Sequence, residues 1–478
     1  VPVSRTAVPR PLPPSVPVSS KPLHVPGSMK LPARAKWERL DDVCLGVFDC
    51  PHSTPELTAT GPLVVRSQDI ITGILRADSA AHVGEATYAE RIVRAEPRHG
   101  DLLYSREGTY FGIAAEVPVG VRVCLGQRMV LIRPNPQVVY SKYLRYWLNS
   151  PVMASHIHGF RDGTVAERLN LPVIRALPML LPPLPEQKAI AHILGALDDK
   201  IELNRRMNQT LEAMAAAIFK SWFVDFDPVR AKHGGRQGRA TGRPSAAALC
   251  VPTLDPSTAA LFPNTFQDSP LGPIPKGWRV GTVGDYFSIT MGQSPPGESY
   301  NEIGEGMPFY QGSTDFGFRH PKVRVHCSAP TRFAAPCDTL VSVRAPVGDI
   351  NMAVSRCCIG RGLAAVRHRS GSRSFTYYAL QAMGEAFQEF EAGGTVFGCI
   401  GKTDFHNLPH LQPCDHIVAE FERVVYPLDQ RISDNENEAA SLAAMRDTLL
   451  PKLLSGEVLV GSAKLELDLA RQATGTTR

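Results

Sequence analysis

The stretch GALDDKIELNRRMNQTLEAM, residues 195–214, is written a second time as YPLDQRISDNENEAASLAAM, residues 426–445. Sliding the chain by 231 positions aligns residues 163–214 with 394–445 without a gap and gives fourteen identities in 52 positions. Ordinary residue frequencies would give about three. Gly163-Thr164-Val165 falls on Gly394-Thr395-Val396, Leu177-Pro178 on Leu408-Pro409, Leu197-Asp198 on Leu428-Asp429, and Asn204 on Asn435. An internal duplication therefore organises the chain.

Within each copy, apolar residues recur in alternating steps of four and three, the seam of a coiled coil. The first seam runs Ile190, Leu194, Leu197, Ile201, Asn204, Asn208, Leu211, Ala215, Ile218, Trp222. The second runs Phe421, Val425, Leu428, Ile432, Asn435, Ala439, Leu442, Arg446, Leu449, Leu453, with only Arg446 out of place. A single amphipathic helix packs on its own domain, but two matched seams predict two long helices packed on each other. Pro427 should kink or restart the second, because proline lacks the amide and crowds the preceding turn. Pro451 and Gly456 should end it. Taking the helices as 186–222 and 417–453, their midpoints fall on Asn204 and Asn435. An antiparallel pair with a pseudo-twofold would bring these two together at the crossing, where a polar seam residue fixes register. A 37-residue helix of this kind spans roughly 55 Å, at ~1.5 Å per residue.

Upstream of each copy comes a series of short β-type runs and then a helical one. The first half has GPLVV, DLLYS, RVCLG and MVLIR before SKYLRYWLNSPVMASHI; the second has MPFYQ, KVRVH, TLVSV, NMAVS and LAAVR before FTYYALQAMGEAFQEF. The expected class is α/β (α+β), with two pseudo-twofold domains separated by two long antiparallel coiled-coil helices. The expected parts are a Pro-rich disordered tail at 1–28, a first domain at 29–184, a central helix at 185–228 and a linker at 229–275. A second domain at 276–414, a C-terminal helix at 415–460 and a tail at 461–478 complete the chain. The tail at 1–28 holds eight prolines and no acidic residue, and the linker has no acidic residue from 228 to 254. Position 1 is Val and Met29 precedes the first folded-looking segment, so translation is expected to start at Met29.

Composition narrows the function. No stretch reaches the 18 or so uninterrupted apolar residues of a membrane span. Ten cysteines without a C-x-x-C pair argue against structural zinc and a disulfide framework, and point to a reducing cytoplasm. A net charge of +5 permits nucleic-acid binding without requiring it. An amino-methyltransferase needs an (N/D)-P-P-(Y/F) loop, and the strings NPQV at 135 and SPPG at 294 both fail. GCIGKT at 398–403 lacks the first glycine of a phosphate-binding loop, having Val396 there. His156 and His158 stand at i and i+2 and do not share a helical face. Catalytic residues and a metal site are not expected.

The segment LPPLPEQKAIAHILGALDDKIELNRRMNQTLEAMAAAIFKSWFVDFDPV resembles the central conserved region of type I restriction-modification specificity subunits. LFPNTFQDSPLGPIPKGW is similar to their inter-half linker, and LAAMRDTLLPKLLSGEV to their C-terminal conserved region. The resemblance implies two target-recognition domains, each reading one half of a bipartite double-stranded DNA site. It implies two adenine-N6 methyltransferase subunits docked on the conserved helices, and restriction (endonuclease/translocase) subunits that join them. S-adenosylmethionine, ATP and Mg would then lie on partner subunits and no cofactor on this chain, which would itself catalyse nothing.

For DNA contacts the duplication supplies a rule: residues shared by both halves cannot distinguish two half-sites, whereas differing residues in matching loops can. Arg106 in SREGTYFG and Arg344 in VRAPVGD stand at comparable places and are assigned to scaffold or phosphate. Base readers should offer bidentate bonds in the major groove. The loop candidates are Arg66, Gln68, Tyr110 and Arg161 in the first half, and Gln311, Ser313, Arg319 and Lys402 in the second. Linker arginines 230, 236, 239 and 243 are expected to be solvated.

Overall fold

A computed structural model of the chain describes residues 35–71, 73–108, 110–158, 168–234, 254–392 and 398–460. The expected tails at 1–28 and 461–478, Arg161, linker arginines 236, 239 and 243, and the repeated Gly-Thr-Val runs lie outside the described residues. The chain divides into two compact units, one of residues 1–199 with 442–478 and one of residues 200–441.

Unit one opens with β1 (Lys36–Arg39), β2 (Cys44–Asp49), β3 (Thr58–Val65), β4 (Ala81–His82) and α1 (Glu85–Arg91). It continues with β5 (Leu102–Ser105), β6 (Ala114–Glu116), β7 (Val123–Leu125) and β8 (Met129–Pro134). Then come α2 (Ser141–Leu148), α3 (Pro151–His158), α4 (Leu171–Arg175), β9 (Pro178–Leu181) and the long α5 (Leu184–Phe223). One sheet has strand order β2-β8-β5-β6 and a second β4-β3-β7, with β3 and β7 parallel. A two-strand ladder of β1 and β9 closes the unit.

Unit two repeats this plan after α6 (Asp227–Gly234), α7 (Pro256–Leu261), β10 (Phe266–Gln267) and β11 (Ile274–Pro275). Its core elements are β12 (Arg279–Thr282), α8 (Val283–Tyr286), β13 (Phe287–Met291), β14 (Tyr300–Asn301), β15 (Met307–Tyr310) and β16 (Val325–Cys327). These lead to β17 (Phe333–Ala334), β18 (Thr339–Ser342), β19 (Ile350–Met352), β20 (Cys357–Ile359) and β21 (Leu363–His368). The helices α9 (Arg373–Ala382), α10 (Gly384–Ala392) and α11 (Lys402–Asn407), then β22 (Pro409–Gln412) and α12 (Asp415–Ser455), complete it. The first sheet is β13-β21-β18-β19, the second β14-β16-β15-β20-β17 with β15 and β20 parallel. The closing ladder pairs Thr282 with Pro409 as unit one pairs Arg39 with Pro178, so the duplicated Leu-Pro starts the same strand twice.

The central strands of each first sheet are short, apolar and largely buried because they line the hydrophobic core of their unit. β5 and β18 carry the unbroken runs LLYS and TLVS, every residue buried. Each helical run is two helices, not one. Ser150 carries the chain from α2 to α3 and accepts the amide of Met153 on its side chain, and Met383 stands between α9 and α10.

α5 has 40 residues and α12 has 41. α5 belongs to unit one through Asp199 and to unit two from Lys200, while α12 belongs to unit two through Ser441 and to unit one from Leu442. In unit one Ile190, Leu194 and Leu197 share a core with Leu449, Leu450 and Leu453. In unit two Ala215, Ile218 and Trp222 share one with Phe421 and Val425. Asn204 meets Asn435 while Asn208 meets Ile432, so the helices run antiparallel there.

Two expectations about α12 fail in part: Pro427 does not restart the helix, and Pro451 does not end it. The helix runs through Pro427 without a break, because Pro427 and the neighbouring Tyr426 face solvent, where water can take the unpaired carbonyl of the preceding turn. Pro451 also lies inside it; the stop comes at Gly456, whose φ of +71° and amide bond to Leu453 O form a left-handed cap. The segment read as a linker is partly built into unit two. Val229, Phe262 and Ile274 are buried in its core, and Asp255 caps α7 by accepting from the amides of Ser257 and Thr258. Arg230 donates to Asp225 O at 2.7 Å and lies over the Phe266 ring.

Candidate nucleic-acid interface

The parallel pair in each second sheet places one matching loop per unit. Gly126 donates its amide to Val65 O at 2.7 Å and Gly360 its amide to Tyr310 O at 2.8 Å, making Arg66 and Gln311 the first residue after equivalent strands. Each loop then forms a 3-10 turn, Ser67–Ile70 or Ser313–Asp315. A buried aspartate braces each: Asp69 accepts the Arg66 amide at 2.7 Å, and Asp315 the Gln311 amide at 3.3 Å. Both loops close alike, with Arg76 N to Asp69 O at 2.9 Å and Lys322 N to Asp315 O at 2.8 Å. Backbone and aspartate thus hold the loops, which frees other side chains to vary.

Gln68 and Gln311 are exposed, Ser313 is half-buried, and the Arg66 side chain is 39% exposed with Nε 3.6 Å from Asp69. Tyr110 is exposed in the loop between β5 and β6, and Lys402 is exposed at the start of α11. These six remain sterically available to a ligand.

Arg319 does not. It is 1% exposed, donates to Asp429 Oδ1 at 2.7 Å and stacks 3.9 Å from the centre of the Tyr377 ring. A side chain so enclosed cannot reach a base edge, and its assignment as a reader is corrected to a structural one.

Arg106 and Arg344 are not equivalent either. The bridge Glu107 to Arg168 corresponds to Arg344 to Cys399, because the repeat interval carries Arg168 onto Cys399, so Arg344 matches Glu107 and Arg106 matches Val343. Leu169 N to Arg106 O and Ile400 N to Val343 O give the same registration. One residue of offset turns a strand side chain to the other face. Arg106 is accordingly enclosed, 3.1 Å from Asp49, and belongs to the scaffold, while Arg344 is exposed and available for phosphate.

The structure brings Asn204 and Asn435 together. Asn204 Nδ2 donates to Asn435 O at 3.4 Å and to Glu438 Oε2 at 2.8 Å, and Asn435 Nδ2 donates to Asn208 Oδ1 at 2.8 Å.

Other polar residues went unnoticed in the sequence. Arg133 on β8 clamps Asp101 beside β5, and Arg367 on β21 clamps Asp338 beside β18, at 2.7 and 2.6 Å. The duplicated Asp198 and Asp429 each accept from several side chains; for Asp198 these are the half-buried Arg145 and Arg446 and the buried Tyr146. Arg446, out of place in the apolar seam, thus has an anionic partner 2.9 Å away. The signal for both aspartates was their identity in the repeat.

Burial pushes the Cys124 thiol up to about 11 and the Cys357 thiol up to about 12, which keeps both protonated at neutral pH. Among the described residues no group of His, Cys, Asp and Glu is placed to hold a metal, and no helix is long and apolar enough to cross a membrane.

Two units built alike, joined to long helices and presenting matching loops with different side chains, define a duplicated recognition protein. Residues 90–213 match the type I restriction modification DNA specificity domain family. A Methanocaldococcus jannaschii protein described as a type I restriction enzyme MjaX specificity subunit is 30% identical over 342 residues, covering 70% of this chain and 72% of that one. The HindI specificity subunit of Haemophilus influenzae is 26% identical over 407 residues, 76% of this chain and 87% of the relative. The crystal structure of the HsdS subunit from Thermoanaerobacter tengcongensis has 25% identity and a TM-score of 0.32 over 90% of this chain and 99% of that one. The chain belongs to the family of type I restriction enzyme specificity subunits. It is the DNA-specificity component of such a system and not its catalyst.

Proposed function

We propose that each unit reads one half of a bipartite double-stranded DNA site through the loop that follows β3 or β15. The supporting observation is that one backbone frame, braced by Asp69 or Asp315, carries Arg66 and Gln68 in one unit and Gln311 and Ser313 in the other. Arginine offers a paired donor to guanine and glutamine a donor and acceptor to adenine, so the same frame can state two sequences. Two methyltransferase subunits using S-adenosylmethionine, with ATP- and Mg-dependent restriction subunits, then act in the cytoplasm where this chain directs them. Tyr110, Lys402 and the phosphate-facing Arg344 complete the contact set.

The test replaces residues 276–414 with the corresponding segment of a relative and maps N6-methyladenine after co-expression with the methyltransferase. One half of the methylated motif should change and the other persist. Joint change of both halves refutes one unit per half-site.

A further inference from the structure

In both units a guanidinium ties the candidate reading loop to an aspartate of a long helix, and it is supplied from opposite sides. Gly73 lies four residues past Asp69 and three before the closing Arg76; Arg319 lies four past Asp315 and three before Lys322. The two positions therefore correspond. On the helical side, Tyr146 of α2 donates its hydroxyl to Asp198 and Tyr378 of α9 donates its own to Asp429. The preceding residues, Arg145 and Tyr377, correspond in turn.

In unit one the loop position is glycine and the helix supplies the cation. Arg145 donates through Nη1 to Gly73 O at 3.2 Å and through Nη2 to Asp198 Oδ2 at 3.0 Å. Gly73 holds φ at +74°, and an added Cβ would come within 2.8 Å of Asn149 Nδ2, so the loop position has neither the room nor the backbone for a long side chain. In unit two the loop itself carries the arginine, and the helix offers an aromatic face in its place. Arg319 bonds Asp429 at 2.7 Å and Tyr378 Oη at 2.8 Å, stacked on Tyr377. Its backbone amide also donates to Glu436 Oε1 at 3.1 Å, and His320 pairs with Glu436. The pair Gly and Arg has become Arg and Tyr, while the aspartate, duplicated at an interval of 231, stays.

We propose that Asp198 and Asp429 are positioning residues that fix each reading loop on its long helix through one guanidinium. Discrimination within a half-site then depends on groups that touch no DNA. This rests on the reading of one unit per half-site. A planar guanidinium suits the task because it bonds in a fixed fork and stacks at once, which a lysine cannot do.

The test selects bound duplexes from a randomised pool, using the full chain assembled with its methyltransferase subunits. Arg319→Gly should cut discrimination in the unit-two half-site by about tenfold or more and leave the other half-site unchanged, since misplacing a bidentate reader forfeits most of its preference. Adding Tyr377→Arg rebuilds the unit-one arrangement and should restore most of that loss, which mere destabilisation would not allow. Arg145→Met should produce the mirror result. Should Arg319→Gly not fold, Arg319→Lys keeps the charge, and it should relax the same half-site alone. Unchanged preference, equal loss in both half-sites, or a double variant no better than the single one overturns the proposal. A parent protein that selects one uninterrupted site refutes the two-half reading itself, and the parent is read in the same pool.

Discussion

Asn435 donates its side-chain amide to Asn208 Oδ1 at 2.8 Å in the middle of the helix contact, and both residues are buried. The bond has no mirror image, because the repeat places Ala439 where Asn208 would recur. It belongs to a cluster in which Asn208 Nδ2 reaches Ile432 O at 3.3 Å and Asn204 bonds Glu438, itself 3.2 Å from Lys200. These donors find their acceptors in one register only, and Asn204 Oδ1 stays buried without a protein partner.

Asn435→Ala should therefore destabilise the helix contact by about 1–3 kcal/mol, since Asn208 Oδ1 is left buried and unpaired. Replacing Asn204, Asn208 and Asn435 together by leucine should recover much of that loss by removing every orphan at once, at the expense of register. Urea midpoints with hydrogen exchange over residues 425–441 report both. A single variant as stable as the parent would show that the cluster contributes nothing.

A second expectation concerns Gln311. Its backbone, not its side chain, is held by Asp315, so Gln311→Ala should leave the loop folded. The loss should fall on one base position of one half-site, worth about 1–3 kcal/mol, whereas Arg344→Ala should weaken all duplexes alike and flatten the salt dependence. Titrations against single-base variants of the selected duplex distinguish the two. Uniform weakening by Gln311→Ala would move that residue from base reading to backbone contact.

The long helices, their seam and the paired half-plan were legible because duplication doubles a weak periodic signal and because helix contacts are local in sequence. Pro427 misled, since its cost depends on whether it faces solvent, which periodicity does not report. Arg319 misled for a related reason. A loop arginine in a Gly-rich stretch reads as exposed, and its partners Asp429, Tyr377 and Tyr378 lie 58 or more positions away. Arg106 and Arg344 looked alike by motif, but the strand bridge sets them one residue out of phase, and phase decides the face. The matching of Arg66 with Gln311 needed the parallel strand pairs, a contact between distant segments that neither loop encodes alone.

The last expectation is a pH dependence seated in unit two. His368 Nε2 and His410 Nε2 both face Gln412 Oε1, at 3.0 and 3.2 Å, with Phe287 and Phe375 packed against the rings. His368 Nδ1 meets Ser370 Oγ at 2.7 Å, and Tyr286 packs on His410. Asp415 favours a charge on His368, while Arg369 opposes it, and the two rings oppose each other. Burial outweighs the rest, lowering His368 and bringing His410 down to about 4. The unfolded chain binds its proton near pH 6.5 and the folded chain not until about pH 4, so between these values unfolding takes up protons. Stability is thus full above pH 6.5 and falls as the pH drops toward 4. For His410 the total is on the order of 3 kcal/mol at ~1.4 kcal/mol per unit. Replacing His410 by Gln should flatten the decline of the urea midpoint between pH 7 and pH 5 relative to the parent. An equal slope in parent and variant would mean that His410 takes up its proton at the same pH in the folded protein as in the unfolded chain.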